Sequence, residues 1–181
     1  MTILVRPSLA TDIPAITAIY AHAVTHGTAS FELTPPDAAE MARRRVALVE
    51  AGFPYLVAER GGEILGYAYA GPYRPRPAYR STVEDSIYVA PAAQATGIGR
   101  RLLTELIREA EARDFRLMVA VIGDSANSAS ITLHHRAGFT LCGTIHSVGY
   151  KFGRWLDSVI MQLPLGEGDA SAPAERSTTS G

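Results

Sequence analysis

The stretch from Thr82 to Ile122 constrains the fold of this chain more than any other. A strand pattern, Thr82 to Val89, runs through a glycine-bearing turn into a helical pattern from about Gly97 to Arg113. Ile98, Leu102, Leu103, Leu106, Ile107 and Ala110 keep one face of that helix apolar. The run Leu117 to Ile122 is continuously hydrophobic, as in a strand covered on both faces. Strand, helix and buried strand in this order imply a right-handed crossover between parallel strands. An α/β sheet with helices laid against it is therefore the frame the remaining segments must join.

Residues 2 to 6 read as a first strand. Thr11 to about Val24 places Ile13, Ile16, Tyr20 and Val24 at helical spacing, with Pro14 tolerated in the first turn. A second helix is expected from Asp37 to Glu50, its Arg43-Arg44-Arg45 run forming a solvated face. Pro54 to Glu59 and Ile64 to Ala70 read as strands, and Gly61-Gly62 between them signals a hairpin. Past the apolar run, a short helix from about Asn127 to Ala137 ends at Gly138, which suits a left-handed cap. Strands are expected at Phe139 to Val148 and Leu156 to Leu163. The tail from Gly166, rich in Gly, Ala, Ser and Thr, is expected to be disordered, leaving residues 1–165 as one domain.

Composition narrows the function. The formal net charge of −1 creates no field that would draw the whole chain to nucleic acid or to an anionic membrane, so any basic site must be local. The basic residues do not line one long face with interleaved aromatics, which argues against a nucleic-acid module. Cys142 stands alone, which excludes an internal disulfide and any multi-cysteine metal site; it is expected as a small buried hydrophobe. His22, His26 and His146 show no metal-ligand spacing, and no metal is expected. Lack of an apolar span or a leader-like start points to a cytoplasmic protein.

The chemistry concentrates at Gln94-Ala95-Thr96-Gly97-Ile98-Gly99-Arg100-Arg101, between the strand and the amphipathic helix. Glycines there let the backbone approach a ligand, and the first N–H groups of the helix, with its positive dipole end, suit a pyrophosphate. The Gly-Lys-Ser/Thr ending of a Walker loop and the Rossmann glycine spacing are both absent. Read alone, the segment is also compatible with a glycine turn that only starts a helix.

In this strand-to-helix place Gln94, Gly97 and Gly99 match Gln/Arg-x-x-Gly-x-Gly/Ala, and the chain resembles the GNAT superfamily of N-acetyltransferases. More closely, it is similar to the phosphinothricin and methionine sulfone/sulfoximine N-acetyltransferases. The blocks that carry the likeness include Phe53-Pro54-Tyr55-Leu56-Val57-Ala58-Glu59, Thr82-Val83-Glu84-Asp85-Ser86-Ile87-Tyr88-Val89, Ala137-Gly138-Phe139 and Gly149-Tyr150-Lys151-Phe152-Gly153-Arg154-Trp155. The resemblance implies a GNAT fold, a mixed, mostly antiparallel twisted sheet of about seven strands flanked by about four helices.

It also implies acetyl-CoA as cosubstrate and an amino-acid-like amine as acceptor. The backbone of Ile87, Tyr88 and Val89 would pair with the pantetheine arm, Gln94 through Arg100 (including Ala95, Thr96, Gly97, Ile98 and Gly99) would bind the pyrophosphate, and Asn127 would hold the cofactor from the later helix. Ala95 and Thr96 depart from the basic residue or glycine often found there, so weaker electrostatics without loss of binding are expected. Glu84 is implied as general base, and His134, where many relatives carry a tyrosine, as proton donor to the departing thiolate; a structural histidine is the alternative. Arg74, Pro75 and Arg76 would contact the acceptor, with Glu84, Asp85 and Ser86 on its other side and Phe31 and Glu32 closing the pocket near a homodimer interface. The arginine-rich link suits an anionic acceptor, since an arginine fork matches two oxygens; a peptide N-terminus, polyamine or aminoglycoside acceptor, or a silent acyl-CoA sensor, are the competing readings.

Overall fold

The computed structural model describes residues 2–173. Among them seven strands build one sheet: β1 (Leu4–Pro7), β2 (Tyr55–Arg60), β3 (Glu63–Pro72), β4 (Thr82–Val89), β5 (Leu117–Gly123), β6 (Thr140–Lys151) and β7 (Arg154–Pro164), in the spatial order β1-β2-β3-β4-β5-β7-β6. The α-helices are α1 (Ile13–His26), α2 (Ala38–Glu50), α3 (Ile98–Glu111) and α4 (Ser128–Arg136). The expected parallel pair is β4 with β5, from Thr82 opposite Leu117 to Asp85 opposite Ala120; the other pairings are antiparallel. The mixed, mostly antiparallel sheet read from the sequence is therefore the one found.

Alternation along β2 divides the core. Leu56 and Ala58 face α3, whose Ile98, Leu102, Leu103, Leu106 and Ala110 are buried together with Val83, Met118 and Ala120. Tyr55 and Val57 point the other way, toward Ile16, Tyr20 and Val24 of α1 and Met41 of α2. Each large aliphatic side chain so buried contributes roughly 1.5–3 kcal/mol. The hairpin between β2 and β3 turns on Gly61 and Gly62, both at positive φ, and α4 closes on Gly138 at φ +97°. There the Phe139 N–H donates to the His134 carbonyl and the Gly138 N–H to the His135 carbonyl, satisfying the last turn of the helix.

The expected boundaries at β6 and β7 were too short. The two strands continue to Lys151 and Arg154 and turn through Phe152-Gly153, both at positive φ. A register break between Ile145 and Gly149 interrupts the alternation on which strand reading depends. Asp157 holds that bulge by accepting from the Ser147 N–H at 2.9 Å. Residues 166–173, expected within the tail, form turns tied back to the body: the Gly166 N–H donates to Glu111 Oε1 at 3.2 Å, and Arg116 reaches Ser171 Oγ at 3.1 Å. Residues 174–181 of that tail lie outside the described residues.

Gly66 sets how closely α3 approaches the sheet. A Cβ there would lie 2.8 Å from the Tyr88 carbonyl oxygen and 3.2–3.3 Å from Leu102 and Ile98 side chains. Gly66→Ala should cost about 1–3 kcal/mol through overpacking, read as a lower urea midpoint with an unchanged slope.

Candidate active site

β4 carries a different neighbour on each edge. Toward β3 it is paired along its length, from Gly66 opposite Val89 to Pro72 opposite Val83. Toward β5 the pairing stops at Asp85 and Ala120, while β5 runs on beside β7 to Gly123. The strands part there, and Ser86 through Val89 turn main-chain N–H and C=O groups without a strand partner into a cleft of about 1240 Å³. Its walls include Ile87, Tyr88, Val89, Gln94, Ala95, Gly97, Ile98, Gly99 and Arg100 on one side and Asn127 and His134 on the other. Ordinary small-molecule pockets span ~300–1,000 Å³, so this one suits a long ligand.

The turn at the end of the cleft is shaped by two residues at positive φ, Ala95 at +59° and Gly97 at +86°. Holding alanine there costs roughly 1 kcal/mol that glycine would not. Thr96 is exposed and does not line the cleft; its Oγ1 donates to the Ala93 carbonyl at 2.5 Å. The Arg101 N–H bonds back to the Gly97 carbonyl at 3.2 Å, which leaves the N–H groups of Ile98, Gly99 and Arg100 as the open first turn of α3. Asn127 caps α4, its side-chain oxygen accepting from the Ser130 N–H at 3.2 Å.

Strand alternation sorts the expected acceptor residues onto two faces. Glu84, Ser86 and Tyr88 point toward α1 and α2, whereas Asp85 points toward α4, where His134 Nε2 lies 3.0 Å from its Oδ2. Asp85 and Glu84 therefore point to opposite faces of β4, with Asp85 engaged by His134. Burial pushes the Glu84 carboxyl above its usual range, the Asp85 charge adds to that, and Arg74 opposes it. Of the arginine link, Arg74 lies within electrostatic reach of Glu84 and 5.0 Å over the Tyr73 ring, while Pro75 and Arg76 are exposed.

Glu32 is held by the Tyr20 hydroxyl at 3.1 Å and by Arg44 Nη1 at 2.6 Å. Phe31 lies over two glycines: a Cβ on Gly149 would overlap its ring, and one on Gly123 would stand 2.9 Å from Cε1. Lys151, buried, donates to the Ser30 carbonyl at 2.7 Å. Sequence reading missed Lys151, Gly149 and Gly123 as supports of this loop, because the contacts join segments far apart in the chain and no local pattern announces them.

Two other expectations are corrected. Cys142 is exposed, because β6 is the edge strand and its outer positions have nothing packed on them. The arginine run is solvated only at Arg43; Arg44 reaches into the loop at Glu32, and Arg45 Nε bonds Ser8 Oγ at 2.7 Å. Among the described residues no group of three or more His, Cys, Asp or Glu side chains is placed to hold a metal ion, and no helix is long and apolar enough to cross a membrane.

Residues 8–160 match the family described as acetyltransferase (GNAT) domain. The chain belongs to the GNAT acetyltransferase family. A phosphinothricin N-acetyltransferase from Alcaligenes faecalis is 57% identical over 162 residues, covering 90% of this chain and 82% of that protein. An L-methionine sulfoximine/L-methionine sulfone acetyltransferase from Pseudomonas paraeruginosa is 45% identical over 166 residues, covering 91% and 96%. Among solved structures, a GNAT superfamily phosphinothricin acetyltransferase from Sinorhizobium meliloti in complex with AcCoA superposes with a TM-score of 0.93 at 48% identity, covering 97% of this chain and 95% of that one. In this GNAT protein the parted strands and the open helix turn are thus features of a shared fold.

The seat of Phe31 supplies a test of the loop. Gly149→Ala should lift the ring and speed amide exchange of residues 28 to 32 about tenfold, leaving α3 unchanged, as measured by hydrogen exchange.

Proposed function

We propose that this chain transfers an acetyl group from acetyl-CoA to the amino group of a small amino-acid-like acceptor of the phosphinothricin, methionine sulfoximine or methionine sulfone type, by direct attack in a ternary complex. The observation that carries the reading is the unpaired inner edge of β4 opening beside the free first turn of α3. An amide-containing pantetheine arm suits the first, because it can complete the missing ladder at Ile87, Tyr88 and Val89. A pyrophosphate suits the second, where Gly97, Ile98, Gly99 and Arg100 offer main-chain N–H groups at the positive end of the helix. Gln94 and Asn127 border the same cleft. Acetyl-CoA supplies the electrophile, a thioester carbonyl.

Attack requires an unprotonated amine, and an α-amino group with pKa near about 8 is mostly ammonium at neutral pH. Glu84 is the proposed proton acceptor. An ordinary carboxylate is too weak a base, but the raised pKa of Glu84 brings it nearer the working range. Arg74 and Arg76 are assigned to the acceptor's carboxylate, with Ser86 beside Glu84 and the Phe31–Glu32 loop closing over it. His134, at the apex of the cleft, is assigned as proton donor to the departing sulfur.

A homodimer completes the proposal. β6 is an unpaired edge, and on its two faces and the adjoining part of β7 Leu141 (64%), Ile145, Val148, Tyr150 and Trp155 (62%) are exposed. An open strand edge flanked by large apolar side chains is a template for pairing with a second copy. Light scattering should give twice the chain mass, and Trp155→Arg combined with Leu141→Arg should return it to the monomer.

The enzymatic test is CoA release from acetyl-CoA with phosphinothricin, methionine sulfoximine, methionine sulfone and ordinary amino acids. Glu84→Gln should lower kcat by about 10²–10⁴-fold with acetyl-CoA affinity intact. Arg74→Ala should raise the acceptor KM. It also removes the charge that holds the Glu84 carboxyl down, so the acid limb of kcat/KM should move to higher pH. Full turnover by the glutamine variant across the pH range would remove Glu84 from the mechanism.

A further inference from the structure

The wedge between β4 and β5 holds a buried acid–imidazole pair at its apex. The Asp85 side chain is 2% exposed and that of His134 5%. His134 Nδ1 lies 2.8 Å from the Ser130 carbonyl oxygen, which can only accept, so Nδ1 carries a proton. Nε2 lies 3.0 Å from Asp85 Oδ2. In a neutral ring with its proton on Nδ1, Nε2 is bare and has nothing to give. A proton on Nε2 therefore depends on the carboxylate that faces it. Asp85 is also the last residue of β4 paired with β5, so the bond pins the ring where the two strands part.

The surroundings leave that carboxylate as the charge that acts on the ring. On α4 itself His135 and Arg136 are exposed, and Arg100 and Arg101 of α3 are exposed too. β5 presents Ala120 and Ile122, Phe139 meets the imidazole edge-on at 5.0 Å, and Glu84 lies on the other face of β4. Burial works to lower the pKa of His134, but the hydrogen bond and charge of Asp85 outweigh it and hold it above its ordinary value. Asp85 Oδ1 has no partner among the described residues.

We propose that Asp85 is a positioning residue that acts through His134: it fixes the ring at the wedge apex and keeps a second proton on Nε2, on the wall of the cleft that both residues line. The proposal rests on the acetyl-transfer reading above. As the C–S bond breaks, sulfur takes the bonding electron pair, and the Nε2 proton, released from its bond to Asp85 Oδ2, passes to it. The ring is left neutral and regains a proton at Nε2 from solvent under the pull of the Asp85 carboxylate. The acceptor amine's proton leaves separately, through Glu84.

Two measurements test this. In wild-type protein, ¹⁵N NMR of the histidines at pH 7 should show both nitrogens of His134 protonated; a neutral His134 overturns the proposal even if no variant folds. Asp85→Asn should render His134 neutral at pH 7, lower kcat at least tenfold with the acetyl-CoA KM within twofold, and move the alkaline limb of kcat to lower pH. Asp85→Asn with His134→Gln should be no slower than His134→Gln alone. Multiplying losses, or a variant with reduced thermal stability but an unshifted pH profile, would make Asp85 merely structural. Failure of the wild type to release CoA with any acceptor would instead defeat the transfer reading, and the NMR result would show which of the two had fallen.

Discussion

The divergence of β4 from β5 at Asp85 and Ala120 is the constraint on which the rest of this structure depends. A parallel pair normally continues until one strand ends, because each unpaired main-chain group taken from water costs free energy. Here both strands continue apart, each anchored by its outer neighbour, β4 by β3 and β5 by β7. That anchoring lets β4 present an unsatisfied inner edge without unravelling. The helix that joins the two strands then has to begin at the mouth of the gap, which is why the open turn of α3 and the open edge of β4 border one cleft.

Alternation along β4 sends neighbouring polar side chains to opposite sides of one strand. Glu84, Ser86 and Tyr88 face the helices α1 and α2, while Asp85, Ile87 and Val89 face α3 and α4. Under the proposed transfer, a proton taken from the amine on one side and a proton given to sulfur on the other would be kept apart by the strand itself. The two carboxylates are nevertheless adjacent in the chain, and the Asp85 charge helps raise the Glu84 pKa. One pair of neighbouring acids thus places a carboxyl with a raised pKa on one face and a carboxylate bonded to an imidazole on the other.

The fold was largely legible because its signals are local. Helical spacing from Ile98 to Ala110, the Gly61-Gly62 turn and the continuous apolar run Leu117 to Ile122 each obey short-range rules, and the structure follows them. What failed depends on distant partners. The bulge at Ser147 is held by Asp157 across the hairpin, so β6 and β7 outran their apparent alternation. Cys142 is exposed because β6 is the last strand of the sheet, a fact of topology that composition does not carry. Asp85 is a different case: strand period alone places it on the opposite face from Glu84, where it meets His134.

Recognition of the two ligands also differs in how much it asks of the sequence. Main-chain groups of β4 and α3 can grip acetyl-CoA whatever side chains stand there, provided the backbone keeps its path. Ala95 and Thr96 therefore occupy the turn without closing it, Ala95 taking the left-handed conformation at a modest cost. The loop at Ser30, Phe31 and Glu32 depends instead on particular side chains. Glu32 is placed by Tyr20 and Arg44, Phe31 by the absence of side chains at Gly123 and Gly149, and Ser30 by Lys151. Gly149 and Lys151 belong to the same β6–β7 hairpin whose outer face exposes Tyr150 and Trp155. Thr28, Ala29 and Gly123 line the same cleft as Ile87, Val89 and Gly97, so the Phe31–Glu32 loop and its glycine seat adjoin the open edge of β4, and a change at Gly123 or Gly149 that lifted Phe31 would reach the cleft wall.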